Sequence, residues 1–243
     1  IGVAFIMAVL DDDSLKHGPI EAIITTEEET SMGGAGRLDL SQITAKYLIN
    51  IDSEEEGILT VGCAGGLDLE VNFPKEYEEA KGDFVEVGLK GFAGGHSGME
   101  IDEFRLNAIK TLARLIQGLD GLQIARANGG VKRNAIPSAA SAVFAVANRD
   151  EAIKLINERI AEVRNEYKDV DPDGEIWVKE ANFDDKVLTK DLSKRIIDFL
   201  YTIHDGLYKK VDGSIVTSSN LGLLEDREDS IFVNLMNLSL IHI

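Results

Sequence analysis

Three carboxylates in a row, Glu27-Glu28-Glu29, follow a short apolar run, and Asp52 follows another, with Glu54, Glu55 and Glu56 close behind. Crowded carboxylates repel one another and are costly to desolvate unless protons or a cation intervene. Hard oxygen donors of this kind suit a divalent metal, and a carboxylate left over could handle a proton of metal-bound water. A plainer alternative accounts for the same residues, because acidic side chains also favour the first turn of a helix, where they meet its positive end.

His96 lies in Gly91-Phe92-Ala93-Gly94-Gly95-His96-Ser97-Gly98. Glycines on both sides leave the imidazole on a loop with little bulk around it, where it could donate to a developing oxyanion. The alternative is an ordinary surface histidine. Lys132-Arg133-Asn134-Ala135-Ile136-Pro137 joins two expected strands. Arg133 and Asn134 could grip a substrate carboxylate or amide there, or form no more than a basic hairpin tip. Asn220, in Thr217-Ser218-Ser219-Asn220-Leu221-Gly222, is a weaker candidate of the same kind. His17, His204 and His242 lack comparable surroundings. No HExxH motif is present, and the glycine-rich stretches match neither GxGxxG nor the phosphate-loop pattern.

Two textures of chain must position these residues. In residues 1–66 the apolar runs 20–25 and 47–51 suit buried strands joined by a crossover, so a partial doubly wound, mostly parallel sheet is expected, with the acidic clusters at the carboxyl ends of its strands. A helix opens this segment and another is expected over 40–45. In residues 67–243 the pattern alternates as half-exposed antiparallel strands do, over 67–73 and 83–89, with further strands near 121–127, 138–147, 175–179, 211–224 and 230–236. Helices are expected over 104–118, over 151–166 with Asp150 as cap, and over 188–204. The order β-α-β-β-α-β then marks a separate sheet-plus-helix layer. The fold class is therefore α/β, with an α+β second domain built on an antiparallel sheet.

Composition narrows the partners. The formal net charge is −18, from 25 basic and 43 acidic residues, and no basic stripe is visible, so nucleic acid is not an expected partner. No apolar run reaches membrane-spanning length, and no signal peptide is recognisable. The lone Cys63 excludes an internal disulfide, fits a reducing compartment, and is expected to be a small buried residue.

Taken in order, HGPIEAIITTEEETSMGGAG, LINIDSEEEG, GCAGG, KGFAGGHSG, NGGVKRNAIP and TSSNLG resemble the aminoacyl-histidine dipeptidases, carnosinase-like enzymes of the zinc aminoacylase–carboxypeptidase superfamily. The resemblance runs from about Ile1 to about Met236. It implies a cytoplasmic enzyme that hydrolyses Xaa-His dipeptides with two divalent metal ions, zinc first and manganese or cobalt as alternatives, roughly 3.5–4 Å apart and sharing an activated water. It implies Glu28 as general base, Glu29 and Asp52 as ligands of one metal each, His96 as the group that polarises the scissile carbonyl, and Asn134 as a substrate contact from a lid. A small peptide is the implied substrate, residues 67–243 the lid, and a homodimer is left open. The family's remaining ligands, a His and a bridging Asp upstream and a His downstream, are not found in this sequence. Ile1 begins within a helical spacing without a cap, and the run Leu238-Ser239-Leu240-Ile241-His242-Ile243 ends without a turn. The expectation is a piece of a longer enzyme, inactive alone, with residues 237–243 foreign to it. Competing readings are a related amidohydrolase or tripeptidase, a non-catalytic binding or oligomerisation protein, and a receiver-type module, which the antiparallel texture disfavours.

Overall fold

Apolar side chains that alternate along strands and recur at helical spacing meet in a single core, which begins at Phe73 and lies within the second of two units. The structure is a computed structural model that describes residues 1–28, 32–52 and 56–241. Glu29, Glu54, Glu55 and His242 fall outside them. The units are Ile1–Val61 and Gly62–Ile243.

The first unit holds helix α1 (Gly2–Asp11), the short helix α2 (Gly33–Gly36) and a 3-10 turn at Leu40–Gln42. That turn is all that forms of the helix expected over 40–45. Residues 20–25 and 47–51 form no strand among the described residues, so the parallel sheet expected here is not built. The physical reason is burial. A parallel strand needs neighbours at both edges and cover on both faces, yet Ile24 is 59% exposed and Leu48 and Ile49 are each 84% exposed. None of the described residues of this unit is buried. What joins 20–25 to 43–45 is Glu21, whose carboxylate accepts the Thr44 and Ala45 amides and the Thr44 hydroxyl. Those bonds, the hydroxyl's first, hold it below the usual glutamate range. Cys63 is exposed rather than buried, in irregular chain ahead of the first strand.

The second unit is a large antiparallel sheet with three helices. Its strands are β1 (Gly65–Pro74), β3 (Asp83–Lys90), β5 (Gln123–Gly129), β7 (Ala140–Val146), β8 (Glu175–Ala181), β10 (Gly206–Val211), β11 (Ser214–Asp226) and β12 (Ser230–Ser239). Their order is β1-β12-β11-β5-β7-β3-β8, with β10 also on β11. Two minor ladders pair β2 (Tyr77–Glu78) with β9 (Val187–Leu188), and β4 (Gly95–His96) with β6 (Ala135–Ile136). The expected β-α-β-β-α-β unit is present as β3, α3 (Ala108–Ile116), β5, β7, α4 (Arg149–Tyr167) and β8. Helix α5 (Lys190–Thr202) follows. β10 was not expected as a strand of its own. Asp212 and Gly213, at φ 49° and 84°, make the tight turn that separates it from β11. β12 continues through Asn237, Leu238 and Ser239, paired on both sides.

Caps set the helix starts. The Asn107 carboxamide oxygen accepts the Ile109 and Lys110 amides at 3.0 and 3.1 Å. In α4 the cap is Asn148, not Asp150, which donates its amide to Asn148 Oδ1 at 3.1 Å from within the first turn. Ala152, Ile156, Ile160 and Val163 then form the buried stripe of α4. Lys110 closes the end of α5 by donating to the carbonyls of Leu200, Tyr201 and Ile203, a cation at the negative end of a helix.

One join ties helices to sheet. β10 pairs with β11 as far as Gly206↔Ser219, and β5 meets β11 at Leu224↔Gly129. Between them the Leu221 amide donates to Asp205 Oδ1 at 2.7 Å, and the Leu221 carbonyl accepts Asn107 Nδ2 at 3.1 Å. Asn107 Nδ2 also donates to Asp205 Oδ1 at 2.9 Å. Burial raises the Asp205 carboxyl from 3.8 to about 6, against the bonds from Leu221 and Asn107 and the charge of Lys110. The folded chain therefore holds this proton more tightly than the unfolded chain. The stability so gained is fully present below the unfolded value and is lost as pH rises through about 6. A shift of this size corresponds to about 3 kcal/mol. Asp205→Asn keeps an acceptor and removes the titration. Urea unfolding at about pH 4 and about pH 7 should show the parent losing stability relative to the variant by that order. An unchanged difference between the two proteins would refute the assignment.

Candidate active site

His96 and Asn134 are brought together by the β4–β6 ladder, in which Gly95 faces Ile136 and His96 faces Ala135. The Ser97 amide donates to the Asn134 carbonyl at 3.0 Å. Both His96 and Asn134 are exposed, and the Asn134 side chain makes no hydrogen bond among the described residues. Glu100 fixes the histidine's backbone. Its Oε2 accepts the His96 amide at 2.6 Å, and its own amide donates to the His96 carbonyl at 2.9 Å. That His96 amide bond is the first cause of a Glu100 carboxyl held below its ordinary range. Arg105 pairs with Glu100 at 2.8 Å and donates to the Gly94 carbonyl at 2.8 Å, so one guanidinium braces both ends of the turn.

The ring itself is oriented by Gly98, whose amide donates to His96 Nδ1 at 3.0 Å. An amide N–H can only donate, so Nδ1 must be the bare, accepting nitrogen. The neutral ring then carries its proton on Nε2, available to a carbonyl oxygen. A side chain at Gly98 would press on its neighbours, since an added Cβ would lie 3.2 Å from His96 Cε1 and 3.0 Å from Leu238 Cδ1.

The other candidates are placed differently. Arg133 Nη1 pairs with Asp68 Oδ2, and Asp68 Oδ1 accepts Asn234 Nδ2 at 3.2 Å. The Arg133 head is thus engaged with β1. Asn220 is 1% exposed. Its Nδ2 donates to the carbonyls of Arg133 and Ala135, each at 2.9 Å. Beside it, β11 runs as bare backbone under the loop. A Cβ on Gly222 would sit 2.5 Å from the Arg133 carbonyl oxygen, and one on Gly130 would sit 1.9 Å from the Gly222 oxygen.

In the first unit Glu28 is exposed and its carbonyl accepts the Met32 amide at 3.2 Å. Glu27, at φ 61°, pairs with Arg37 at 2.8 Å. Asp52 is exposed, with its amide on Asn50 Oδ1 at 2.9 Å. Glu29 lies outside the described residues. Among the described residues no group of three or more His, Cys, Asp or Glu side chains could hold a metal ion. A lasting divalent site needs several converging donors, so the described residues by themselves do not fit the two ions that the sequence resemblance implies.

Sequence reasoning passed over Glu100, Asn107 and Asp205. Asn107 had a signal, a capping residue ahead of an apolar stripe. Glu100 stands four residues after His96, a local spacing that could have been read. Asp205 had none, because its burial is decided by β11 and α3.

Residues 87–171, within the second unit, match the family model described as the peptidase dimerisation domain. Over 252 aligned residues the chain is 35% identical to the cytosol non-specific dipeptidase of Escherichia coli (strain K12), covering 99% of this chain and 52% of that protein. The solved aminoacylhistidine dipeptidase of Vibrio alginolyticus is similar at 33% identity and a TM-score of 0.81, over 99% of this chain and 51% of that one. A 46-residue stretch, 19% of this chain and 12% of the relative, is 48% identical to the uncharacterized protein YqjE of Bacillus subtilis (strain 168). The chain thus spans about half the length of the dipeptidases it matches. The resemblance to dipeptidases drawn from the six motifs is borne out, as is a mixed α/β fold with a large antiparallel sheet. No helix among the described residues is long and apolar enough to cross a membrane.

Gly98→Ala should push the imidazole out of register without unfolding the sheet. The expected readout is a changed His96 Nδ1 shift in nitrogen-15 NMR with thermal stability within a few degrees of the parent. An unmoved Nδ1 signal would show that Gly98 does not set the ring.

Proposed function

We propose that this chain serves in the hydrolysis of dipeptides, its second unit acting as a lid that stabilises the scissile carbonyl oxygen as water adds to the carbon. The observation that carries this reading is the Gly98 amide on His96 Nδ1, which leaves an exposed Nε2–H as donor. As water adds, negative charge grows on the carbonyl oxygen, and a donor aimed at that position is worth more in the transition state than in the ground state. The Asn134 carboxamide, on the paired loop, supplies a second donor. Collapse then breaks the C–N bond and the amine leaves with a proton.

Glu28 is the proposed base that takes a proton from the attacking water and passes it to the leaving amine. Divalent-metal dependence, with Glu29 and Asp52 as ligands and zinc as the first candidate, is part of the proposal. So are an Xaa-His substrate, a cytoplasmic setting and a homodimer. The names of the similar dipeptidases support the substrate and the setting, and the match to a dimerisation domain supports the dimer, while the metal and its ligands rest on the sequence resemblance.

The test is steady-state kinetics of the intact protein on Xaa-His dipeptides and on matched dipeptides without histidine. His96→Ala should lower kcat about 100- to 1,000-fold with little change in KM, the pattern of a contact made only in the transition state. Removal of metal by chelation should abolish turnover and added zinc should restore it. A His96→Ala protein that keeps its kcat would overturn the lid's proposed role.

A further inference from the structure

We infer that Asn220 is a positioning residue that sets the Asn134 loop against His96 from beneath, rather than a group that touches substrate. This rests on the hydrolytic reading above. Both hydrogens of the Asn220 amide are engaged, one on each carbonyl that flanks Asn134 in sequence, Arg133 and Ala135. The side chain is 1% exposed, so its remaining oxygen has no path to a bound peptide. That oxygen is buried and has no hydrogen-bond partner among the described residues. The amide is therefore held for what its nitrogen does, because burying an unmatched oxygen is costly.

The two bonds act as a fork. Carbonyls on either side of Asn134 are drawn down onto β11, which lifts the Asn134 side chain outward on a short loop with both shoulders fixed. Ala135 is also the partner of His96 in the β4–β6 ladder, and the Asn134 carbonyl holds the Ser97 amide. One carboxamide thus sets the height of both donors. Its own position is fixed at the next residue, where Asp205 and Asn107 hold the Leu221 amide and carbonyl. Gly222 completes the seat, since any side chain there would strike Arg133.

A displacement of about 1 Å at such a donor can cost on the order of 100-fold in rate. Asn220→Ser shortens the side chain and cannot span both carbonyls. Gly222→Ala disturbs the same loop from beneath without touching Asn220. In the intact protein each should lower kcat about 10- to 100-fold per folded molecule while KM changes little. Val131→Ala, an exposed change ahead of the loop, should leave both constants unchanged. Folded fraction is read by near-UV circular dichroism, and loop position by the Asn134 side-chain amide signals in NMR, which should shift in both variants. If kcat falls only in proportion to folded fraction, or the Asn134 signals stay in place, the positioning role is wrong. His96→Ala measured alongside separates the two readings. Full turnover in that variant removes the hydrolytic role of the lid, whereas its loss together with normal Asn220→Ser kinetics removes the present inference alone.

Discussion

Between Ser219 and Leu224, β11 loses its neighbouring strand on one side, and the second unit depends on how those backbone groups are satisfied. A buried amide and a buried carbonyl without partners would each cost on the order of a hydrogen bond's desolvation. Asp205 answers the amide and Asn107 the carbonyl. Asn107 also starts α3, so the helix register and the strand gap are set by one carboxamide. The loop carrying Asn134 then rests on the same stretch of strand.

This arrangement leaves a carboxylate half-buried between β11 and the start of α3. Lys110 is near enough to favour the charged form, yet burial outweighs it, and Lys110 itself is drawn down from the ordinary lysine range by its own desolvation. Its ammonium instead neutralises the carbonyl end of α5. The two side chains are therefore less an ion pair than two separate plugs, one for a strand gap and one for a helix terminus.

The antiparallel half of the fold was readable because its signals are local: alternation along β3 and β7, and stripes on α4 and α5 that end at capping residues. His96 and Asn134 were readable for the same reason, since each stands in a short distinctive motif. Their pairing was not, because it is made by two-residue strands too short to leave a pattern. Asn220 illustrates the limit. Its type suggested a substrate contact, but whether a residue of β11 faces a ligand or a loop carbonyl is settled by register, which no window of sequence contains. In the first unit the apolar runs 20–25 and 47–51 read as strands because they are apolar, yet a strand of that kind exists only when other elements cover it.

The bond from Gly98 to the His96 ring couples a side chain's direction to the path of its own backbone. The N–H that grips the ring stands only two residues along the chain from it. The ring could turn away only by giving up that bond. A bend of the chain at residues 97 and 98 would therefore swing the imidazole with it, so the path of the loop and the aim of its donor change together.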